Sequence, residues 1–524
     1  MIKRIFSTIA VAAALVLGGT SCVGDLTVTP IDPNIVLPED VLNSEDAFNA
    51  LLAKCYQGLA CSASDGQDSS PDISGVDGGY GQYLRAMFHL QCLATDEAVC
   101  CWNDQTLQDI HNLCWSTSDT FVAAAYYRVF FQVGLCNEFI RKANESKIEN
   151  FNNRAAWIAE ARALRLLSYY HAIDLFGNVP FFTEENSVGS EGPAQIKRAD
   201  LWDWMVAECK ALLKGSDLKE AKATEYGRIN KESVQMILAK LYLNAEVWKG
   251  EKHYEECAAI CKELKGKYPT LHANYLDLFS ADNHKCVVSS TYAGDEIFFA
   301  VPQDGINICS YGATNYIIFA CTGDGMDAAG QMGISSGWGG LTLTKAFVDK
   351  FDESTDKRAN FYTGYGKEIP NVMDYKSGGY KSMKYRNINA DGTPAQANGF
   401  VDTDFPVFRS ADAYLMLAEC AARGAGDKAE GLAALNAVRV RAGLAEVAEL
   451  TLQGIIDERA RELYHELVRR QDLVRFGQFT TADYLWDYKG GQKEGVAVDA
   501  KYNLYPLCSS DVNANSKLEQ NQGY

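Results

Sequence analysis

The chain has 524 residues, of which 68 are acidic and 49 basic, for a formal net charge of −19. So acidic a chain has too little Lys and Arg to neutralise a nucleic-acid backbone or to hold a polybasic contact with anionic lipid. At this length a single hydrophobic core does not suffice, and two or more subdomains are expected.

Lys3 and Arg4 open the chain, an apolar run from Ile5 to Gly19 follows, and Thr20-Ser21-Cys22 comes next. A positive n-region, a short apolar core and small residues at a cleavage point make a secretory signal. The core is shorter than the roughly 20 residues a spanning helix needs. Leu17 to Cys22 resembles a bacterial lipobox, which implies a signal peptide over residues 1–21 and lipidation of Cys22 as the first mature residue. Ordinary secretion with a coincidental Cys is the alternative. Acyl chains contribute about 0.8 kcal/mol per buried CH₂, so several hold a protein firmly to a membrane through lipid alone. Cleavage would remove Lys3 and Arg4, leaving 47 basic against 68 acidic residues, a net charge of −21. Residues 22–40 carry Pro30, Pro33 and Pro38 and read as an extended tether. The fifteen cysteines beyond Cys22 are odd in number and scattered, many beside Ala and Leu. They read as mostly reduced, buried thiols, because a free Cys packs as a small apolar residue.

Helical patterns dominate from 41 to about 265. Trp157, Ala161, Leu164, Ala172 and Leu175 recur near a period of 3.6, and Gly177 and Pro180 end that helix. Ile237 to Trp248 and Tyr254 to Leu264 mark a helix pair broken at Gly250 and closed by Pro269. ADAYLMLAECAARG and DKAEGLAALNAVRVRAGL mark another pair over 411–443. Such pairs fit tetratricopeptide units, and two unrelated helical hairpins fit equally. Trp157, Trp202, Trp204 and Trp248 lie in these patterns and are assigned to the core. Residues 270–405 are rich in Gly, Asn, Asp and Tyr without a sustained helical period. They read as a loop-rich lobe on a helical scaffold, where binding residues tend to lie. The expected fold is mainly α with few short strands, divided into an N-terminal region 41–285 and a C-terminal region 286–524.

Several stretches resemble the SusD/RagB family of outer-membrane nutrient-binding lipoproteins. They are AEARALRLLSYYHAIDLFGNVPFFTE (159–184), ADAYLMLAECAARG, LNAVRVRAGL, ERARELYHELVRRQDLVRFG (458–477) and the closing LYPLCSSDVNANSKLEQNQGY. The close departs from the family pattern at Leu507-Cys508 and at Gln522. The resemblance implies a tetratricopeptide-like scaffold with a shallow glycan site. It also implies a location on the outer membrane facing outward, and a partner, a SusC-type TonB-dependent transporter.

TDEAVCCWNDQ (95–105) concentrates the candidate chemistry. Cys100 and Cys101 are adjacent, whereas metal sites space their cysteines, so no metal is expected. A glycosidase needs two carboxyls facing each other across a bond. Asp96 and Glu97 diverge as sequence neighbours, while Asp65, Asp324 or Asp374 could pair through the fold. The favoured reading is a non-catalytic sugar platform needing no cofactor. A Trp ring meets the apolar face of a sugar, and polar side chains meet its hydroxyls. Trp102, Asn103 and Asp104 supply both. The family resemblance implies a stacking Trp after Asp96-Glu97 and an Arg about one helix earlier, at Arg85. It also implies a second aromatic from the irregular lobe, for which Trp338 in SSGWGG is the candidate. Tyr311 and Tyr316 would complete an aromatic arc, and Arg386 would reach a hydroxyl rim. Oligosaccharide is thus the expected ligand. A peptide carried to a similar transporter is the alternative, and a β-rich adhesin is disfavoured by the helical pattern.

Overall fold

The computed structural model describes residues 41–524 except 64–65, 68–69, 187–190 and 289–295. Cys22, the signal, the tether and Asp65 lie outside the described residues. Ser44 starts α1 (Glu45–Ala60) by accepting a bond from the Ala47 amide, with Glu45 and Asp46 in the first turn. Acceptors and negative charge at that end satisfy orphan amides and the helix dipole. The chain then forms α2 (Tyr83–Phe88) and α3 (Thr120–Glu145), which Asp119 caps through the Phe121 and Val122 amides. Next come α4 (Arg154–Leu175), α5 (Arg198–Lys214), α6 (Lys231–Leu243) and α7 (Tyr254–Lys267). The C-terminal part adds α8 (Ala313–Cys321), α9 (Ser410–Ala422), α10 (Lys428–Arg441), α11 (Leu452–Leu463) and α12 (Arg469–Arg475).

Neighbours in the scaffold pack in a continuous series: α1 on α3, α3 on α4, α4 on α5, α5 on α6, α6 on α7, α7 on α9 and α9 on α10. This is a tetratricopeptide-like stack, the one of the two arrangements allowed by the paired helical patterns that the family resemblance implies. Its crossings use small residues: a Cβ at Gly431 of α10 would overlap the Ala421 side chain of α9. Gly177 and Gly250 follow their helices with positive φ of 72° and 80°, where glycine is favoured. Trp157, Trp202 and Trp248 are buried as expected. Trp204 is only partly buried, edge-on to Tyr169 and Phe181 with the Arg165 guanidinium over it, so it seals the scaffold's rim. Of the fifteen cysteines among the described residues, all free, eleven are buried.

The strands are short. They are β1 (Val99–Cys100), β2 (Ile297–Val301), β3 (Leu341–Thr342) and β4 (Phe405–Arg409), with two further two-residue pairs at 179–180/195–196 and 361–362/381–382. β1 pairs antiparallel with β3, and β2 with β4. One expectation for the lobe is corrected: α8 crosses it. Its sequence ATNYIIFAC is buried on every side, so no apolar stripe marks it as a helix.

A buried charge network seats β4 on the scaffold. Arg409 pairs with Glu296 at 2.6 Å, Glu462 at 3.0 Å and Glu466 at 2.7 Å. Arg441 also reaches Glu296 and Glu462, and Arg358 reaches Asp356, Glu458 and Glu462.

Burial also fixes several imidazoles as neutral. Desolvation pushes His111 and His171 down to about 4 and His465 to about 3. As pH falls, the unfolded chain takes up these protons first, so their stabilisation is complete above about 6.5 and is lost toward the folded values. His171, bonded to the Tyr83 hydroxyl at 2.7 Å with Asp174 and Lys240 nearby, is the clearest test. His171→Gln is expected to flatten the fall in stability between pH 6.5 and 4.5 in urea titrations, and an unchanged slope would refute this assignment.

Candidate functional site

The β1–β3 ladder brings two distant segments together. Val99 pairs with Thr342 and Cys100 with Leu341, and the Cys101 amide donates to Gly340 O at 3.0 Å. Trp102 and Trp338 therefore leave the same end of one ladder, with ring centroids 6.4 Å apart and planes at 50°. Trp102 Nε1 donates to Gly339 O at 3.2 Å. Cys100 is buried in the ladder, and Cys101 Sγ lies against Gly339 O, so both cysteines belong to the packing around the tryptophan.

The SSGWGG segment is held across the C-terminal end of α8. The amides of Trp338, Gly340 and Gly339 donate to the carbonyls of Phe319, Ala320 and Thr322 at 2.8, 2.8 and 2.7 Å. These bonds satisfy carbonyls that a helix end otherwise leaves open. The glycines are steric requirements. A Cβ at Gly340 would sit 2.5 Å from the Trp102 ring, and one at Gly337 would overlap the Thr322 carbonyl.

The other end of α8 positions Tyr311. Ala313 takes a positive φ of 48°, a strained conformation for a residue with a Cβ. Ser310 Oγ donates to Ala60 O at 2.6 Å, and Arg85 Nη1 donates to Tyr311 O at 3.2 Å, which hold this turn in place. The Tyr311 ring lies 5.9 Å from Trp338 and 5.8 Å from Phe400. Phe400, Tyr311, Trp338 and Trp102 thus form one continuous strip of partly buried rings. Asn103 and Asp104 are exposed beside its Trp102 end.

Burial corrects two expected ligand contacts, Tyr316 and Arg85, and the third, Arg386, is half-buried on another segment. Tyr316 is completely buried 6.2 Å beneath Trp102, so its ring supports the strip from below. Arg85 is buried as well, with its guanidinium 4.3 Å over the Tyr316 ring and Nη1 bonded to Gly79 O and Tyr311 O. Its role is to brace the Tyr311 turn. Arg386 is part of a different segment, tied through its backbone to Phe279 and Thr403, with Asp277 as the nearby charge. Among the described residues no hydrogen bond, ion pair or ring contact joins Arg386 to the strip.

The acids ahead of β1 diverge and are structural. Asp96 receives Arg469 Nε and Nη2 at 2.7 Å each and the Tyr484 hydroxyl at 2.6 Å. Burial opposes its charge, yet Arg469 overrides this and holds the carboxyl below its usual range. Glu97 accepts the His465 amide at 3.0 Å, and burial pushes its carboxyl up to about 8. His465 and Leu467 have positive φ of 59° and 64°, so this pair of acids clamps a strained turn between α11 and α12 to the start of β1. Asp324 pairs with Lys376, and Asp374 accepts from the Lys376 amide within its own turn. Sequence reasoning misses Phe400; the signal available is a lone aromatic in the otherwise polar run ADGTPAQANGFVD.

Residues 347–524 match the model of the SusD family. The whole chain aligns with the starch-binding protein SusD of Bacteroides thetaiotaomicron at 32% identity, covering 99% of that protein. SusD-like protein P25 of Formosa agariphila is 26% identical over 71% of this chain and 73% of its own. Among solved structures, surface glycan-binding protein A of Bacteroides thetaiotaomicron in complex with laminarihexaose superposes with a TM-score of 0.68 at 18% identity, covering 91% of this chain and 99% of that one. Its Bacteroides uniformis counterpart gives 0.70 at 21%, with the same coverage. These structures share the fold, and the full-length identity to SusD decides the kinship: the chain belongs to the SusD family.

Proposed function

We propose that this protein captures an oligosaccharide on the Phe400–Tyr311–Trp338–Trp102 strip without cleaving it. It passes the sugar to a TonB-dependent outer-membrane transporter, while lipid on Cys22 holds it at the cell surface. The observation that carries the reading is the strip itself. Four rings lie side by side, braced from below and bordered by exposed Asn103 and Asp104. Ring faces match the C–H faces of successive sugar units, and the amide and carboxylate meet hydroxyls. A full-length relative named for starch binding favours sugar over peptide.

The test is affinity electrophoresis of a soluble chain of residues 23–524 through gels containing a panel of polysaccharides, with reducing ends assayed in parallel. Retardation without new reducing ends supports capture. Retardation by none of the panel, with binding to a peptide library, would replace the ligand by peptide. Gly340→Ala adds a check on the geometry: the new methyl displaces the Trp102 ring, and glycan binding should fall as far as in Trp102→Ala. Wild-type retardation of Gly340→Ala would show that the ring's present placement is irrelevant.

A further inference from the structure

A second group of rings continues from the strip, on the far side of Gly339. Tyr375 lies against that glycine, its ring 3.6 Å from where a Gly339 Cβ would stand, while Gly339 O accepts the Trp102 indole. Tyr365 follows at 6.2 Å from Tyr375, and Tyr362 at 5.7 Å from Tyr365. Tyr362 and Tyr365 are partly buried, and Tyr375 is the inner member at 9% exposure. Their hydroxyls all donate to backbone carbonyls of one turn: Tyr375 to Cys321, Tyr365 to Asp324 and Tyr362 to Gly325.

Two features set this arc apart from ordinary packing. First, the backbone between the rings carries almost no side chains. Gly323, Gly325, Gly339 and Gly364 all lie against a tyrosine, and a Cβ on Gly323, Gly325 or Gly364 would collide with it. Glycines thus let the backbone close directly onto Tyr375, Tyr365 and Tyr362, leaving the partly buried Tyr365 and Tyr362 rings at the outer end of the arc. Second, the arc and the tryptophan pair share one anchor. Lys381 Nζ, 4.0 Å from the Tyr375 ring centroid and 5.4 Å from that of Tyr365, donates to Thr342 Oγ1 of β3 at 2.7 Å. The same β3 pairs with the strand leading to Trp102. One ammonium thus ties the tyrosine arc to the ladder that carries Trp102, which holds the two groups of rings in a common frame. Asp324 and Lys376, exposed and paired at 2.5 Å, border the arc with groups able to bond hydroxyls.

We propose that Tyr365 and Tyr362, bordered by Asp324 and Lys376, form an extension subsite for the distal units of a glycan chain already seated on the strip. The protein therefore selects long chains over short ones. This rests on the reading of the strip as a glycan site, and its test separates the two.

Titration calorimetry with maltooligosaccharides and laminari-oligosaccharides, each from short to long, would be run on wild type, Trp338→Ala and the double variant Tyr362→Ala/Tyr365→Ala. In wild type, affinity should keep rising with length beyond the chains that fill the strip. The double variant should bind short oligomers as wild type does and long ones at least fivefold more weakly. Trp338→Ala should lose both. If Trp338→Ala loses binding while the double variant keeps wild-type affinity for long chains, the extension subsite is overturned and the strip stands. If Trp338→Ala binds normally, or wild type binds neither these series nor any polysaccharide of the gel panel, both are overturned. Should the double variant unfold, Lys376→Ala decides, since its side chain is 57% exposed. A selective loss on long chains supports the subsite, and unchanged binding overturns it.

Discussion

Trp338→Ala is expected to weaken glycan binding by about 2 kcal/mol or more, roughly thirtyfold, with little effect on folding. Trp338 is the ring at the centre of the group. It lies 6.4 Å from Trp102, 5.9 Å from Tyr311 and 5.0 Å from Phe319 of α8 beneath it. Removing it cuts the strip in two and separates Tyr311 and Phe400 from Trp102. The backbone is not at risk, because the amides of residues 338–340 hold the end of α8 whatever side chain is present. Retardation in affinity gels and calorimetry should both report the loss, with the thermal midpoint near wild type. Trp338→Phe keeps an apolar face of smaller area and should fall between the two. An alanine variant that binds as wild type would move the site elsewhere on the protein.

The two tryptophans were legible because each stands among residues that cannot cover it: polar ones at 103–105, glycines around 338. Their meeting was not legible. It depends on a two-residue ladder whose partners are far apart in sequence, and so short a run carries no alternation to read. Arg85 and Tyr316 show a different limit. Both lie against the strip, yet spacing along a chain does not report depth, and both are buried under it. The scaffold helices were legible from their periodicity and from Gly177, Gly250 and Pro269 at their ends. α8 was not, because a helix buried all round has no polar face to set the period. The charges of ERARELYHELVRR have the look of a solvated helix face, whereas Arg459, Glu462, Glu466, Arg469 and Arg470 are buried.

Those buried charges carry the second large expectation: Arg409→Ala should destabilise the protein by about 3–5 kcal/mol, the range for removing one member of a buried ion pair. The side chain is buried with three carboxylates around it, from Glu296, Glu462 and Glu466. Burial opposes a charge on Glu462, and Arg441, Arg409 and Arg358 together hold it well below the usual carboxylate range. Without Arg409, Arg441 still serves Glu296 and Glu462, and Lys384 still serves Glu466. The loss should therefore stop short of complete unfolding and be readable as a shifted midpoint in urea. Arg409→Lys keeps the charge but cannot supply Nε and Nη donors in a fixed plane to several acids, so it should recover only part of the loss. A change below about 1 kcal/mol in Arg409→Ala would mean that the neighbouring cations suffice and that the network is redundant. The consequence reaches the site as well. Arg409 ends β4, β4 pairs with β2, and α8 is tied to the segment before β4 through Thr314 and the Thr403 carbonyl. A protein loosened at Arg409 should accordingly lose glycan affinity at temperatures where its scaffold helices still give a native circular-dichroism signal, whereas Trp338→Ala loses affinity at every temperature.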